Sequence, residues 1–288
     1  MNWLRRGLVV AVLWGIGCER LPPSPAPSAS LPATDAAASA QPSANQATAP
    51  SPQPAPLTPV GQQELAEAQQ LVAEGKLAEA RLVLQPVADL PEAPAAVRDL
   101  IGDINTRIVF SPVADSRKTN YTVLAGDTLG KIATRFNCPV MLIKKSNQLT
   151  SDTIRVGQRL RIFQGEFAAT VSKSANTLVL TDRGQFFKHY RVGTGEHSKT
   201  PVGEFRIVNR QEHPVWYRGD REIPYGDPEN ILGTHWLGLD IPGFGLHGTW
   251  DNESVGKQST AGCIRLTNDD IAELFAMLPL GTPVTIRE

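Results

Sequence analysis

Cysteine is scarce in this chain: there are three in 288 residues, Cys18, Cys138 and Cys263, each in a different segment. So few cannot build a disulfide framework, and each thiol needs its own explanation. An excess of positive charge is lacking too. The formal net charge is −1, so no basic field argues for nucleic acid, which is excluded as a partner. The five histidines show no H-x-x-x-H spacing and no accompanying acidic ligand. A zinc peptidase built on His235, His247 and Cys263 is therefore unsupported, and neither a metal nor another cofactor is expected. The apolar run from Gly7 to Gly17 has eleven residues, too few to cross a bilayer comfortably.

What is present falls into five segments. Residues 1–18 carry Arg5 and Arg6, then the apolar run, then Cys18, the build of an export signal. Ile16-Gly17-Cys18 resembles the end of a bacterial lipobox, with Gly15 in place of the usual Leu. That resemblance implies lipid attachment at Cys18; plain secretion and an uncleaved anchor are the alternatives. All three export the chain to the periplasm or cell envelope, with a membrane as partner in two of them. Residues 19–60 are Pro, Ala and Ser with few large apolar side chains, and they hold eleven of the 23 prolines. Such a segment buries too little surface to offset its ordering entropy and reads as a disordered linker.

Residues 61–110 turn helical. Leu65, Ala68 and Val72, then Leu77, Ala80 and Leu84, recur at helical spacing on either side of Gly75. A third helix is expected from Ala95 to Ile108, beyond the breaks at Pro91 and Pro94. The turn Ala73-Glu-Gly-Lys-Leu-Ala-Glu-Ala-Arg81 resembles a tetratricopeptide hairpin. One pair lacks the stacked repeats that make a groove, so the segment reads as a short helical spacer.

Residues 119–163 form a second unit. Tyr121-Thr-Val reads as a strand, Asp127 as the cap of a helix over Thr128–Phe136, Pro139 as the opening of a second helix through Lys145, and Gly157 as the turn before a strand ending at Ile162. This βααβ order, with Tyr-Thr-Val-x-x-Gly-Asp-Thr-Leu and Ile-Arg-Val-Gly-Gln-Arg-Leu-Arg-Ile, resembles the LysM module. The resemblance implies binding of N-acetylglucosamine-containing glycans such as peptidoglycan. It places the groove at Gly126, Asp127 and Thr128 and near Asn147. Cys138 reads as a packing residue.

Residues 165–288 alternate β-branched and aromatic residues in strands near 167–172, 177–181, 186–192, 205–209, 234–240 and 284–287, with one helix over 268–277. The expected chain is multidomain, ending in a mostly-β sandwich. Inside it, His247 and Cys263 stand sixteen positions apart among glycines. A thiol with a pKa of about 8.5 is only slightly ionised at neutral pH, so a nucleophilic Cys needs a base such as His beside it. Gly262 and Ala261 add almost no bulk before the Cys and leave backbone N–H groups to meet an oxyanion. Gly248 suggests close backbone approach beside the His.

His247-Gly-Thr followed by Thr260-Ala-Gly-Cys-Ile-Arg265 resembles the signature of the YkuD-type L,D-transpeptidases. Thr200-Pro-Val-Gly-Glu-Phe205 and Leu232-Gly-Thr-His-Trp-Leu-Gly-Leu239 resemble two further pieces of that family, in the same order. Ala261 stands where many members have His. The resemblance implies a Cys263 thioester with a stem tetrapeptide of peptidoglycan, loss of D-Ala, and transfer of the acyl group to an amine. His247 would serve as base and acid, with Arg265 near substrate or supporting the Cys loop and Thr260 bonding locally. Trp236 and His235 are placed either along the cleft or in the core. A carboxypeptidase uses the same residues with water as acceptor, and a wall-tethering lipoprotein without catalysis is the non-enzymatic alternative.

Overall fold

The structure is a computed structural model that describes residues 59–288, so the signal, Cys18 and all but the last two residues of the linker lie outside the described residues. Three helices come first, α1 (Pro59–Ala73), α2 (Leu77–Ala88) and α3 (Ala95–Val109). Gly75, at φ +78°, turns the chain between the first two. The Gly75 and Lys76 N–H groups close back on Val72 and Leu71, which satisfies carbonyls that α1 leaves open.

β1 (Lys118–Thr122), α4 (Leu129–Arg135), α5 (Val140–Ser146) and β2 (Arg159–Phe163) follow, and the two strands pair antiparallel with Tyr121 opposite Leu160. Leu129, Ile132, Ile143, Leu160 and Ile162 fill a small core. The helix cap differs from expectation. Thr128 caps α4, its hydroxyl accepting from Lys131 N–H, while the Asp127 carboxylate accepts from Tyr121 Oη (2.6 Å) and Leu124 N–H (2.8 Å). A carboxylate with a phenol and a loop amide in reach fixes the loop instead of the helix end.

The rest is β-rich. β3 (Phe167–Ser172), β4 (Thr177–Asp182), β5 (Gln185–Arg191), a short β6 (Thr194–Gly195), β7 (Gly203–Glu212), the hairpin β8 (Trp216–Arg218) and β9 (Arg221–Ile223), β10 (His235–Leu239), β11 (Gly245–His247), β12 (Gln258–Thr260) and β13 (Ile264–Arg265) lead to α6 (Asn268–Met277) and β14 (Pro283–Arg287). Eight of these strands share one hydrogen-bonded order, β13-β11-β10-β7-β14-β3-β4-β5, mixed because β11–β13 and β14–β3 run parallel. Val171, Leu178 and Phe187 from one half meet Leu237, Leu246 and Ile264 from the other in a single core with Leu274 and Met277 of α6. Thr267 caps α6, accepting from Asp270 N–H.

The helices do not stand off as a spacer. β5 ends the sheet, and an edge strand leaves backbone groups open to pairing. Here Asn105 donates to Phe187 O (2.9 Å), Gln85 donates to Phe186 O (2.8 Å), and Asp89 accepts from Phe186 N–H (2.7 Å). The Phe186 side chain joins the helical core. The βααβ unit is attached as firmly. Leu142 belongs to the main core, the rings of Phe163 and Phe167 stack at 5.8 Å, and Ser146 donates to Val109 O. Cys138 packs against both cores, and burial pushes its thiol up to about 12, which fits a packing residue.

Candidate active site

β10, β11 and β13 lie side by side, and their register decides which side chains meet. Trp236 is opposite His247, and His247 is level with Arg265. Successive strand residues point to opposite faces. Leu237, Leu246 and Ile264 therefore face the core and α6, while Trp236, His247 and Arg265 face the other way. Cys263 precedes β13 by one residue, level with Gly245, so alternation puts its side chain on the His247 face. The two are diagonal neighbours on adjacent strands, the relation that brings long side chains within reach.

The same alternation removes His235 from the site. It packs against Phe275 of α6 with ring centroids 4.7 Å apart, and its Nδ1 meets Thr234 Oγ1 at 2.8 Å. Trp236 takes the cleft side, its ring stacked 6.1 Å from that of His247. The cleft there has a volume of about 230 Å³ and is lined by Cys263, Gly243, Trp236, Gln211, Leu232 and, from the β8–β9 hairpin, Trp216. Gln211 and Trp216 lie in no motif of the sequence, whereas Leu232 opens the Leu232–Leu239 segment.

His247 is 2% exposed. Its Nδ1 lies 2.6 Å from Gly248 O; a carbonyl only accepts, so Nδ1 carries the proton and Nε2 is left as the acceptor. Burial holds its pKa down to about 4, helped by the Arg265 charge and opposed by the Gly248 bond. Cys263 Sγ donates to Gly243 O at 3.4 Å. Burial raises the thiol pKa, and the Gly245 backbone bond and the Arg265 guanidinium act against it. Both groups are thus neutral at pH 7, a thiol beside an unprotonated imidazole.

The Cys loop is held from below by two threonines. Thr260 Oγ1 donates to Cys263 O (2.6 Å) and accepts from Gly262 N–H (3.1 Å). Thr200 Oγ1 donates to Gly262 O (2.8 Å) and accepts from Gly195 N–H (2.7 Å). Gly262 sits at φ +139°, and a Cβ there would meet the Phe244 ring at 2.7 Å. The Gly262 N–H is thereby engaged within the loop; Ala261 is exposed. A Cβ on Gly248 would come within 2.2 Å of Asn268 Oδ1, so this glycine is required by α6 packing beneath the His.

Arg265 does two things. Its backbone exchanges hydrogen bonds of 2.8 Å with Gly193, which pins the strand, and its buried Nε has no hydrogen-bond partner among the described residues. Of the expected glycan residues, Gly126 turns the loop at φ +83°, and the Asn147 side chain is committed to the Ile143 and Arg161 backbones at 2.7–2.8 Å, tying α5 to β2. Among the described residues no group of three His, Cys, Asp or Glu is placed to hold a metal ion.

Residues 166–286 match the L,D-transpeptidase catalytic domain family, and residues 121–163 match the LysM domain. The chain is 34% identical over 174 residues to a putative L,D-transpeptidase YkuD of Bacillus subtilis, covering 58% of this chain and 98% of that protein. It is 38% identical over 130 residues to a putative L,D-transpeptidase YqjB of the same organism, covering 43% and 73%. Among solved structures, an L,D-transpeptidase from Mycobacterium smegmatis aligns with a TM-score of 0.38 at 23% identity, over 46% of this chain and 65% of that one.

Proposed function

The chain belongs to the YkuD-type L,D-transpeptidase family, and on that premise we propose that Cys263 and His247 carry out acyl transfer between peptidoglycan stems through a Cys263 thioester. The observation that supports this most is the tautomer of His247, whose free Nε2 faces the same side of the sheet as the thiol. His247 Nε2 takes the thiol proton as sulfur attacks the carbonyl of the third stem residue. The Cys263 N–H stabilises the oxyanion. The C–N bond to the terminal D-Ala breaks, and the imidazolium returns the proton to the leaving amine. An acceptor amine then attacks the thioester, gives its proton to His247, and the thiol is regenerated as the new amide forms.

Arg265 supports the strand that follows Cys263 through its backbone bonds to Gly193, and the LysM domain holds the glycan while the catalytic domain works. The thiol needs a partner base because burial keeps it protonated, and the neutral imidazole meets that need. Export through residues 1–18 with lipid on Cys18 places the enzyme beside its substrate in the cell envelope. Labelled fatty acid incorporated by the wild-type chain and not by Cys18→Ser supports that anchor; equal labelling of both rejects it.

Incubating the purified chain with tetrapeptide-rich peptidoglycan and reading muropeptides by mass spectrometry tests the transfer. Dimers joined between two third-position residues, absent with Cys263→Ala, are the expected result. Tripeptide monomers alone mean that water is the acceptor, and unchanged muropeptides mean that this is not the substrate.

A further inference from the structure

Three exposed rings meet in a row on the segments that follow β7, β9 and β11 and take no part in the transfer chemistry. The His213 and Tyr225 ring centroids are 4.2 Å apart with planes at 35°, and those of Tyr225 and Trp250 are 6.1 Å apart at 50°. Trp250 keeps 58% of its surface in water and Tyr225 37%. Clustered aromatic surface left in solvent marks a place where something else packs. The rings come from three separate segments: His213 follows β7, Tyr225 follows β9 and Trp250 follows β11. Their meeting is built by the fold. The His213 N–H donates to Thr234 O (2.9 Å), and Gly248 N–H donates to His235 O (3.3 Å), so the β7 and β11 ends are tied to the same stretch of β10.

Their position relative to the thiol is set by register. Cys263 is level with Gly245, and Trp250 lies five residues beyond Gly245, past His247, at most about 18 Å away along the backbone. In the donor proposed above, the attacked carbonyl belongs to the third residue of the stem. Three extended residues cover about 10 Å, and a short acyl link follows before the first sugar ring. A donor stem that runs from Cys263 past His247 therefore delivers its sugar to the three rings.

We propose that His213, Tyr225 and Trp250 form a platform for the pyranose rings of the glycan strand that carries the donor stem, a sugar subsite within the catalytic domain and separate from the LysM domain. The C–H faces of a pyranose are apolar and flat enough to lie on aromatic rings, while its hydroxyl edge stays in water. Neither Tyr225 nor Trp250 carries charge, which suits a neutral N-acetylated sugar. The platform rests on the stem-donor reading, which sets the direction and reach of the ligand.

The test compares kcat/KM of the full chain on a disaccharide–tetrapeptide and on the free tetrapeptide, for wild type, Trp250→Ala, Tyr225→Ala and Trp250→Phe. The wild type is expected to favour the sugar-bearing donor by about tenfold, Trp250→Ala to cut that preference about fivefold, and Trp250→Phe to keep most of it. A preference that stays within about twofold of wild type in both alanine variants overturns the platform. Such a result, with a dimer that dissociates on Trp250→Ala, assigns the rings to contact between copies. If the wild type turns over neither donor, the transfer reading fails, and the platform is judged by titrating the disaccharide–tetrapeptide into the Cys263→Ala chain. A Kd about fivefold weaker on adding Trp250→Ala upholds it, and an equal Kd rejects it.

Discussion

His247 enters the reaction with its Nδ1 proton committed to Gly248 O and its pKa held down to about 4 by burial. The acid limb of kcat/KM should then fall near pH 4 and not near 6.5, which a pH–rate profile measures directly. His247→Asn should lower kcat by about 10²–10⁴-fold at neutral pH, since the thiol loses its base. Stability follows the same group. The unfolded imidazole protonates near pH 6.5 and the folded one near 4, so the contribution is fully present above pH 6.5 and is lost as pH falls toward 4. The pair itself was legible in the sequence, because a Gly-flanked His and Cys at this spacing form a motif. The side of the sheet taken by His235 and Trp236 was not, since a single alternating strand does not say which face is the core. Asp127 reads as a cap by residue type, and only the nearness of Tyr121 Oη and the Leu124 amide turns it to another use.

Thr200 and Thr260 make the Cys loop a rigid element although the loop has little regular structure. Thr200→Val removes two hydrogen bonds and leaves the Gly262 carbonyl and Gly195 N–H buried without partners. The expected cost is about 1–3 kcal/mol per unsatisfied group in denaturant unfolding, with a fall in kcat as the nucleophile loses its fixed position. Thr200 lies sixty-two residues before Gly262, and no local pattern predicts that pairing. At the other end of the sheet, α2 and α3 protect the β5 edge with Gln85 and Asn105. A Gln85→Met and Asn105→Leu double variant should lose about 2–5 kcal/mol and scatter more light on standing, because Phe186 O and Phe187 O lose their donors and the edge opens. The helices themselves were readable from apolar periodicity. Their docking was not, because it depends on polar side chains that satisfy a strand distant in sequence.

At the scale of the molecule, the LysM and catalytic domains share packing through Leu142, Cys138, Phe163 and Phe167, and the helices share Phe186 with β5. Side chains shared between cores couple the unfolding of the parts that share them, so one cooperative transition is the expected outcome. Trp216, Trp236 and Trp250 all lie in the catalytic domain, whereas most helical residues lie outside it. Denaturant curves followed by tryptophan fluorescence and by far-ultraviolet circular dichroism should therefore coincide; two separated transitions would show independent domains. The order of the modules was visible in the sequence because each has its own motif and composition. Their packing into one body was not, because it is made by contacts such as Ser146 to Val109 O that carry no pattern. The thioester on Cys263 is open to intact-mass spectrometry of the chain mixed with a stem tetrapeptide and quenched in acid. The expected result is a mass increase equal to the tetrapeptide less one D-Ala molecule, which is the tripeptide less water, mapped to Cys263 and missing from Cys263→Ala. An adduct that persists in Cys263→Ala, or turnover of the tetrapeptide by that variant, would contradict it.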